Sequence, residues 1–388
     1  MLDDKDSVFP INRYLGPDFF CDREDESNKL IEALKNGRNT VLMAPRRFGK
    51  TGLIHHTFHR IKAKRKNVIT VFLDIYSAKD LSDFNSQFLS AVSEALASDS
   101  TKIWETVSTF FKSLRPIVSF DPFTGVPEVS LSAETPQKVE KDLGEILRIL
   151  DAQKKPVYVA IDEFQQIESF PENADAILRT HIQQCKNISF IFSGSQKHLL
   201  LPIFADAKRP FYASTDFLHL QKIDKDQYAT YIQNQFAKRK KSIEEEDVNY
   251  ILDWCRVHTY YVQVICNKLD SMGVKKINHQ HVIDVMTGTI KEQDAVMSSI
   301  KAMLPVNQWE LFRAICIEDE ISSYTSKDFI QKHRLASSAA VVQSMKALEE
   351  KEMIYISGID TKTERAIYEA YNVFFAKWVK HRKAVSGI

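Results

Sequence analysis

The stretch Asn39 to Ile54 (NTVLMAPRRFGKTGLI) constrains the fold of this chain more than any other. Thr40, Val41, Leu42 and Met43 are a short apolar run between polar residues, which predicts a buried strand. Ala44 to Phe48 form a loop. Gly49-Lys50-Thr51 then opens a predicted helix with Leu53, Ile54, Phe58 and Ile61 on one side. Strand, loop and Gly-Lys-Thr at a helix start is the setting of a phosphate-binding loop.

The residue types suit that chemistry. The first amides of a helix lack internal partners and lie at its positive end, so they accept an anion. Gly49 lets the backbone turn and approach a phosphate. Lys50 reaches β- and γ-phosphates, and the Thr51 hydroxyl is a Mg²⁺ ligand. Pro45, Arg46, Arg47, Phe48 and Gly52 complete the expected nucleotide cradle. One position departs from the pattern: Ala44 stands where the first glycine is expected. Alanine fits there if its φ is negative, and Pro45 favours an extended Ala44.

A second apolar run, Val157 to Ile161, ends in Asp162-Glu163. A strand of an α/β sheet delivers such a pair to its carboxyl edge, where ligands gather. Asp162 is then the candidate for the Mg²⁺ shell and Glu163 for the base that orients and deprotonates water. Val68 to Ile75 reads as another buried strand with Asp74 near its end. Ile188 to Phe192 is a further strand, followed by Ser193-Gly194-Ser195, either a plain turn or a pair of site hydroxyls. Phe217 to Ile223 is a fifth strand-like run. Arg209 is a candidate for answering the charge of a transferred phosphate, in cis or across a subunit boundary; a surface arginine is the other reading and the commoner one.

At 388 residues the chain has room for two or three domains, and 44% hydrophobic with 27% charged residues is an ordinary globular balance. A net charge of +1 gives no bulk electrostatic argument for nucleic acid. The five cysteines show no CxxC spacing, which suggests reduced thiols in a cytoplasmic protein. No apolar run reaches the length of a membrane span, and the first residues are no signal peptide. His55 and His59 share a helix face but have no third metal ligand in view.

Between these elements, Leu30, Ile31 and Leu34 form a helical stripe, as do Phe84, Phe88, Leu89 and Val92. Trp104, Phe110 and Phe111 suggest a helix, and Ile117 to Leu131 a hairpin turning at DPFTG; residues 100–135 read as an insertion. From Asp224 to Glu292 the period is helical throughout. KRKK (238–241) followed by EEED (244–247) reads as a solvated turn with capping acids. Beyond Met303, three helices and a hairpin turning at Gly358-Ile359-Asp360 make a winged helix. Its third helix is expected to face Ala339, Val342, Met345 and Leu348 inward. Gln343, Lys346 and nearby Glu349, Glu350 and Glu352 leave it short of the cations a DNA-reading helix uses, which favours a protein contact.

Taken together, APRRFGKT (44–51), VYVAIDEF (157–164), FIFSGS (190–195), RPFY (209–212) and YNVFFAKWV (371–379) resemble the P-loop ATPases of the AAA+/STAND kind often called archaeal-type ATPases. The resemblance runs nearly the full length. It implies a parallel-sheet P-loop NTPase core over 1–223, a helical lid over 224–298 and a winged helix over 299–388. It implies ATP rather than GTP as ligand, with Mg²⁺ and slow hydrolysis, and partners that include DNA or protein at the winged helix and further copies in a homo-oligomer. It adds Phe20 and Arg23, with Glu24, as a Phe-x-x-Arg-Glu box beside the adenine; a surface helix with capping acids is the other reading. It makes Ser193 and Ser195 candidates for contacting the γ-phosphate or water. RVHTYYVQ (256–263) stands where the family shows Gly-His-Pro, so His258 is retained while Val257 and Thr259 depart.

Overall fold

A computed structural model describes residues 7–11, 13–97, 116–120, 127–131 and 135–386. The chain divides after Ile223 into two compact units, and the described residues up to Ile11 group with the second, not with the unit they precede.

The first unit is a three-layer α/β core. Its elements are α1 (Glu24–Lys35), β1 (Thr40–Met43), α2 (Lys50–Lys64), β2 (Ile69–Asp74), α3 (Leu81–Ala97), the pair β3 (Pro116–Phe120) and β4 (Pro127–Leu131), α4 (Pro136–Asp151), β5 (Val157–Asp162), α5 (Ala174–Ile182), β6 (Ile188–Gly194), α6 (Lys197–Ala205) and β7 (Asp216–His219). Five strands form one parallel sheet in the order β2-β5-β6-β1-β7. A parallel sheet is covered on both faces, so its inner strands are apolar on both sides. That is why β1, β5 and β6 are buried along their whole lengths. Side-chain alternation sends Val157, Val159 and Ile161 into a core with α3, α4 and α5, and Tyr158 and Ala160 into a second core with α1 and α2. Phe164, Phe192, Phe204 and Phe211 stack together in the first of these, with centroids 4.6–5.8 Å apart.

The fifth strand is shorter than Phe217–Ile223. It pairs only with four-residue β1, so the ladder ends at His219 opposite Met43. The hairpin appears as antiparallel β3 and β4, Pro116 opposite Leu131. Its DPFTG turn and Trp104, Phe110 and Phe111 lie outside the described residues.

The second unit begins with α7 (Lys225–Lys238), capped by Asp224, whose carboxylate accepts from the Asp226 and Gln227 amides. Then come α8 (Glu245–Trp254), α9 (Thr259–Ser271), α10 (His279–Glu292) and α11 (Asp294–Met303), with β8 (Ser242–Ile243) and β9 (Lys276–Ile277) pairing parallel between them. The chain start is tied here: Ser7 Oγ donates to Asp270 Oδ2 (2.9 Å), and Phe9 packs on Phe236 with centroids 4.7 Å apart. Lys241 corrects the reading of KRKK as wholly solvated. Its ammonium donates to the Asp270 and Met272 carbonyls, because the neighbouring α9 end offers unpaired carbonyls and the buried Asp270 carboxylate.

The winged helix follows: α12 (Val306–Glu318), β10 (Glu320–Ile321), α13 (Lys327–His333), α14 (Ser338–Glu350), β11 (Ile354–Ile359), β12 (Ala366–Ala370) and α15 (Val373–Ser386). Its sheet runs β10-β12-β11, antiparallel. Ser326 and Ser337 cap α13 and α14 by accepting from the Phe329 and Ala340 amides. Within α14 the inward face is Val341, Ser344, Met345 and Leu348, whereas Ala339 and Val342 are exposed. Met345 and Leu348 face inward as expected, and the inward place expected of Val342 is taken by Val341 and Ser344. Arg256, in the α8–α9 turn, pairs with Asp319 (2.7 Å), which also takes Lys380, so the helical part is pinned to the winged helix.

Candidate functional site

All strands of the first sheet run the same way, so the ends of β1, β2, β5 and β6 share one edge. This brings together the loop after β1, Asp74, Asp162-Glu163 and Ser193 to Ser195. In the loop, the left-handed turns fall at Arg47 (φ 65°) and Gly49 (φ 95°) and not at Ala44. The missing first glycine therefore carries no backbone cost, and Gly49 is the position that needs freedom.

Lys50 opens α2 and is 6% exposed; its Nζ donates to the Ala44 carbonyl at 3.1 Å, which closes the loop over the ammonium. One residue on, Thr51 Oγ1 donates to Asp162 Oδ2 at 2.6 Å. Asp162 is buried, and its other oxygen accepts from the Glu163 amide at 3.0 Å. Glu163 is left-handed (φ 54°), the sharp turn that follows the strand. Its Oε2 accepts from Ser195 Oγ (3.1 Å), and Arg46 Nε donates to that same hydroxyl (3.4 Å). Ser193 is fully buried, and its hydroxyl has no hydrogen-bond partner among the described residues.

Three carboxyls converge here, and their field is visible in their neighbours. Asp74, exposed at the end of β2, is pushed up from the ordinary carboxylate value by partial desolvation first, then by Asp162 and Glu163, with the Tyr76 amide opposing. Burial holds the His55 imidazole below its ordinary value, and Asp162 opposes this. A raised carboxyl favours the protonated form in the fold, so ionised Asp74 costs stability as pH rises above the ordinary carboxylate value, about 3.9. Because Asp74 is exposed, solvent screens most of this cost, and Asp74→Asn, which keeps an acceptor for Tyr76, is expected to raise the melting temperature at pH 7 by no more than about 1 °C. The gain should vanish below about pH 3.9. Thermal unfolding of both proteins across pH checks this.

The other expected residues are placed as follows. A Cβ on Gly52 would lie 3.2 Å from Phe20 Cε2, so Phe20 sits directly on the α2 backbone. Phe20 stacks on His56 (4.4 Å), and Tyr14 Oη lies 3.1 Å from His56 Nδ1. Arg23 is buried, with Nη1 on Glu26 (2.9 Å) and Nη2 without a hydrogen-bond partner among the described residues. Pro45 and Arg46 are half-buried, Arg47 is exposed and Phe48 is buried in the α1–α2 core. Arg209 is not brought to the loop: its ion pairs go to Glu168 and Asp175 (3.6 Å), two carboxylates that compete for the guanidinium. His258 belongs to the second unit, where it is buried at the start of α9 with its ring on Tyr261 (4.7 Å). Tyr14 and His56 escaped sequence reasoning, since no spacing links residue 14 to residue 56. Gln165, whose Nε2 donates to Glu163 Oε2 at 2.5 Å, escaped it too.

The donor set fits Mg²⁺: one hydroxyl and one carboxylate, both hard oxygens, leaving further positions for phosphate and water. No cluster of three or more His, Cys, Asp or Glu able to hold a metal occurs among the described residues.

A family model described as "Probable winged helix domain" matches residues 295–381. No curated protein sequence matches the chain. Among solved structures, the chain is similar to the Walker-type ATPase PABY2304 of Pyrococcus abyssi (15% identity, 96% of this chain and 99% of that one, TM-score 0.65). It is also similar to the ORC2 protein of Aeropyrum pernix in ADPNP–ADP complexes (16% identity, 98% of each chain, TM-score 0.58). A third is the ORC1 protein of Aeropyrum pernix in complex with DNA (12% identity, 98% and 97%, TM-score 0.51). The fold is therefore that of a P-loop ATPase with a parallel α/β core, a helical region and a winged helix.

Proposed function

We propose that the chain binds Mg·ATP at the edge formed by Lys50, Thr51, Asp162 and Glu163 and hydrolyses it slowly. The observation that carries this reading is the 2.6 Å hydrogen bond from Thr51 to Asp162, which joins the phosphate-loop helix to the acidic strand end. Lys50 holds the β- and γ-phosphates. Thr51 and Asp162 would hold Mg²⁺, which when bound neutralises phosphate charge. Glu163 orients a water and takes its proton. The water oxygen bonds to the γ-phosphorus as the bond to the β–γ bridging oxygen breaks, and ADP leaves with that electron pair. Phe20 and Arg23 are proposed to flank the adenine, and Ser193 to meet the γ-phosphate.

The 224–298 region is proposed as a lid that contributes His258, and 299–388 as the output module. Nucleotide changes their arrangement only by binding one arrangement more tightly than another. With Arg209 engaged by Glu168 and Asp175, a second copy of the chain is the proposed source of any cation that completes the site. A protein partner is favoured at the winged helix. The outward face of α14 offers Ala339, Val342 and a Lys346 that faces Glu350 at 3.9 Å. The alternative is DNA, which the ORC1 likeness suggests.

Equilibrium binding with a fluorescent ATP analogue, with GTP as competitor and a short duplex in a parallel gel shift, tests these readings. ATP binding that GTP displaces poorly, with no salt-sensitive duplex shift, is expected. No ATP binding overturns the reading, and an ATP-dependent shift moves the partner to DNA.

A further inference from the structure

We propose that Gln165 is a positioning residue for hydrolysis, and that residue 194 must lack a side chain so that Gln165 can reach Glu163. The proposal rests on the ATPase reading and extends it to two positions outside the phosphate loop and the acidic pair.

Gln165 is buried in the short 3-10 helix Phe164–Ser169, two residues past Glu163. Left-handed Glu163 folds the chain back, and Gln165 Nε2 then donates to Glu163 Oε2 at 2.5 Å. Ser195 Oγ donates to the same oxygen at 3.1 Å. Both donors thus act on one carboxylate oxygen, and Oε1 receives no hydrogen bond from the described residues. A glutamate has three side-chain torsions and loses much rotamer freedom when fixed. Holding Oε2 from two directions removes that freedom before substrate arrives and leaves Oε1 to take the water proton, which is how a supporting shell raises the rate of a base.

The space for Gln165 exists because β6 ends in glycine. A Cβ built on Gly194 would lie 2.2 Å from Gln165 Oε1 and 3.0 Å from Leu200 Cδ2. Gly194 is not one of the left-handed residues, so backbone conformation does not explain it. Close approach of the amide does. Gln165 Oε1 is buried without a hydrogen-bond partner among the described residues, and the amide packs against Gly194.

The test compares phosphate release, ATP affinity and melting temperature for wild type, Glu163→Gln, Gln165→Met, Gln165→Ala, Gly194→Ala and the Gln165→Ala/Gly194→Ala double variant. Met has similar length and no donor. Gln165→Met is expected to lower kcat by about tenfold while KM, affinity and melting temperature stay near wild type, and Gly194→Ala to lower kcat by a similar factor with some loss of melting temperature, since its methyl also meets Leu200. In the double variant the clash with the amide is gone and only Leu200 must give, so its kcat should equal that of Gln165→Ala. If Gln165→Met does not fold, Gln165→Leu, of similar bulk and also without a donor, replaces it with the same expectation. Wild-type turnover that needs Glu163 but is unchanged by Gln165→Met overturns this inference alone. A loss of kcat in Gln165→Met that tracks losses of melting temperature and affinity also overturns it, because it marks a purely structural role. Absence of turnover in wild type overturns this inference and the ATPase reading together.

Discussion

Glu163→Gln is expected to lower phosphate release by about 10²–10⁴-fold, the usual worth of a general base. Affinity for ATP should stay within about twofold, because the amide keeps the shape and removes only proton acceptance. The Glu163 backbone sits in a left-handed turn that glutamine adopts as readily, and Ser195 can still donate to the amide oxygen. The measurement is phosphate release at saturating ATP beside equilibrium binding. A variant that still turns over at the wild-type rate removes Glu163 from the role assigned to it.

Lys50→Ala acts on the other term. Its ammonium is buried in the loop and held by the Ala44 carbonyl, already poised where phosphates would lie. A hydrogen bond to a charged group contributes about 1.5–3 kcal/mol, so affinity should fall about 10- to 150-fold. Turnover should fall with it, since the same ammonium meets charge that grows in the transition state. Titration with a fluorescent nucleotide checks the first part. Unchanged affinity would count directly against the site.

Some of this was legible because it is local. The run from Thr40 to Thr51 carries its strand, loop and helix start within a few residues, and the acidic pair Asp162-Glu163 ends an unbroken apolar strand. Parallel pairing then brings the two motifs together, and the Thr51–Asp162 bond is the result. What was not legible depends on three-dimensional neighbours. Arg209 has no sequence sign that Glu168 and Asp175 will claim it. Lys241 looked solvated because nothing nearby in sequence reveals the α9 carbonyls that hold it. The inward face of α14 was misassigned in part, since Ser344 is buried and Val342 is exposed against the usual preference for apolar burial. Gln165 was hidden for another reason. A glutamine two residues after a glutamate reaches it only if the glutamate is left-handed, and side-chain periodicity does not report that.

On the proposed reading the phosphate-loop and acidic-pair residues compose one edge that turns over nucleotide; the alternative is that it only holds it. Phosphate release by the full chain from ATP, measured with Mg²⁺ and again with a chelator, separates these most directly. Slow, multiple-turnover release that requires Mg²⁺ is the expected result. Tight ATP binding with no release under either condition would contradict hydrolysis and leave a nucleotide-binding switch.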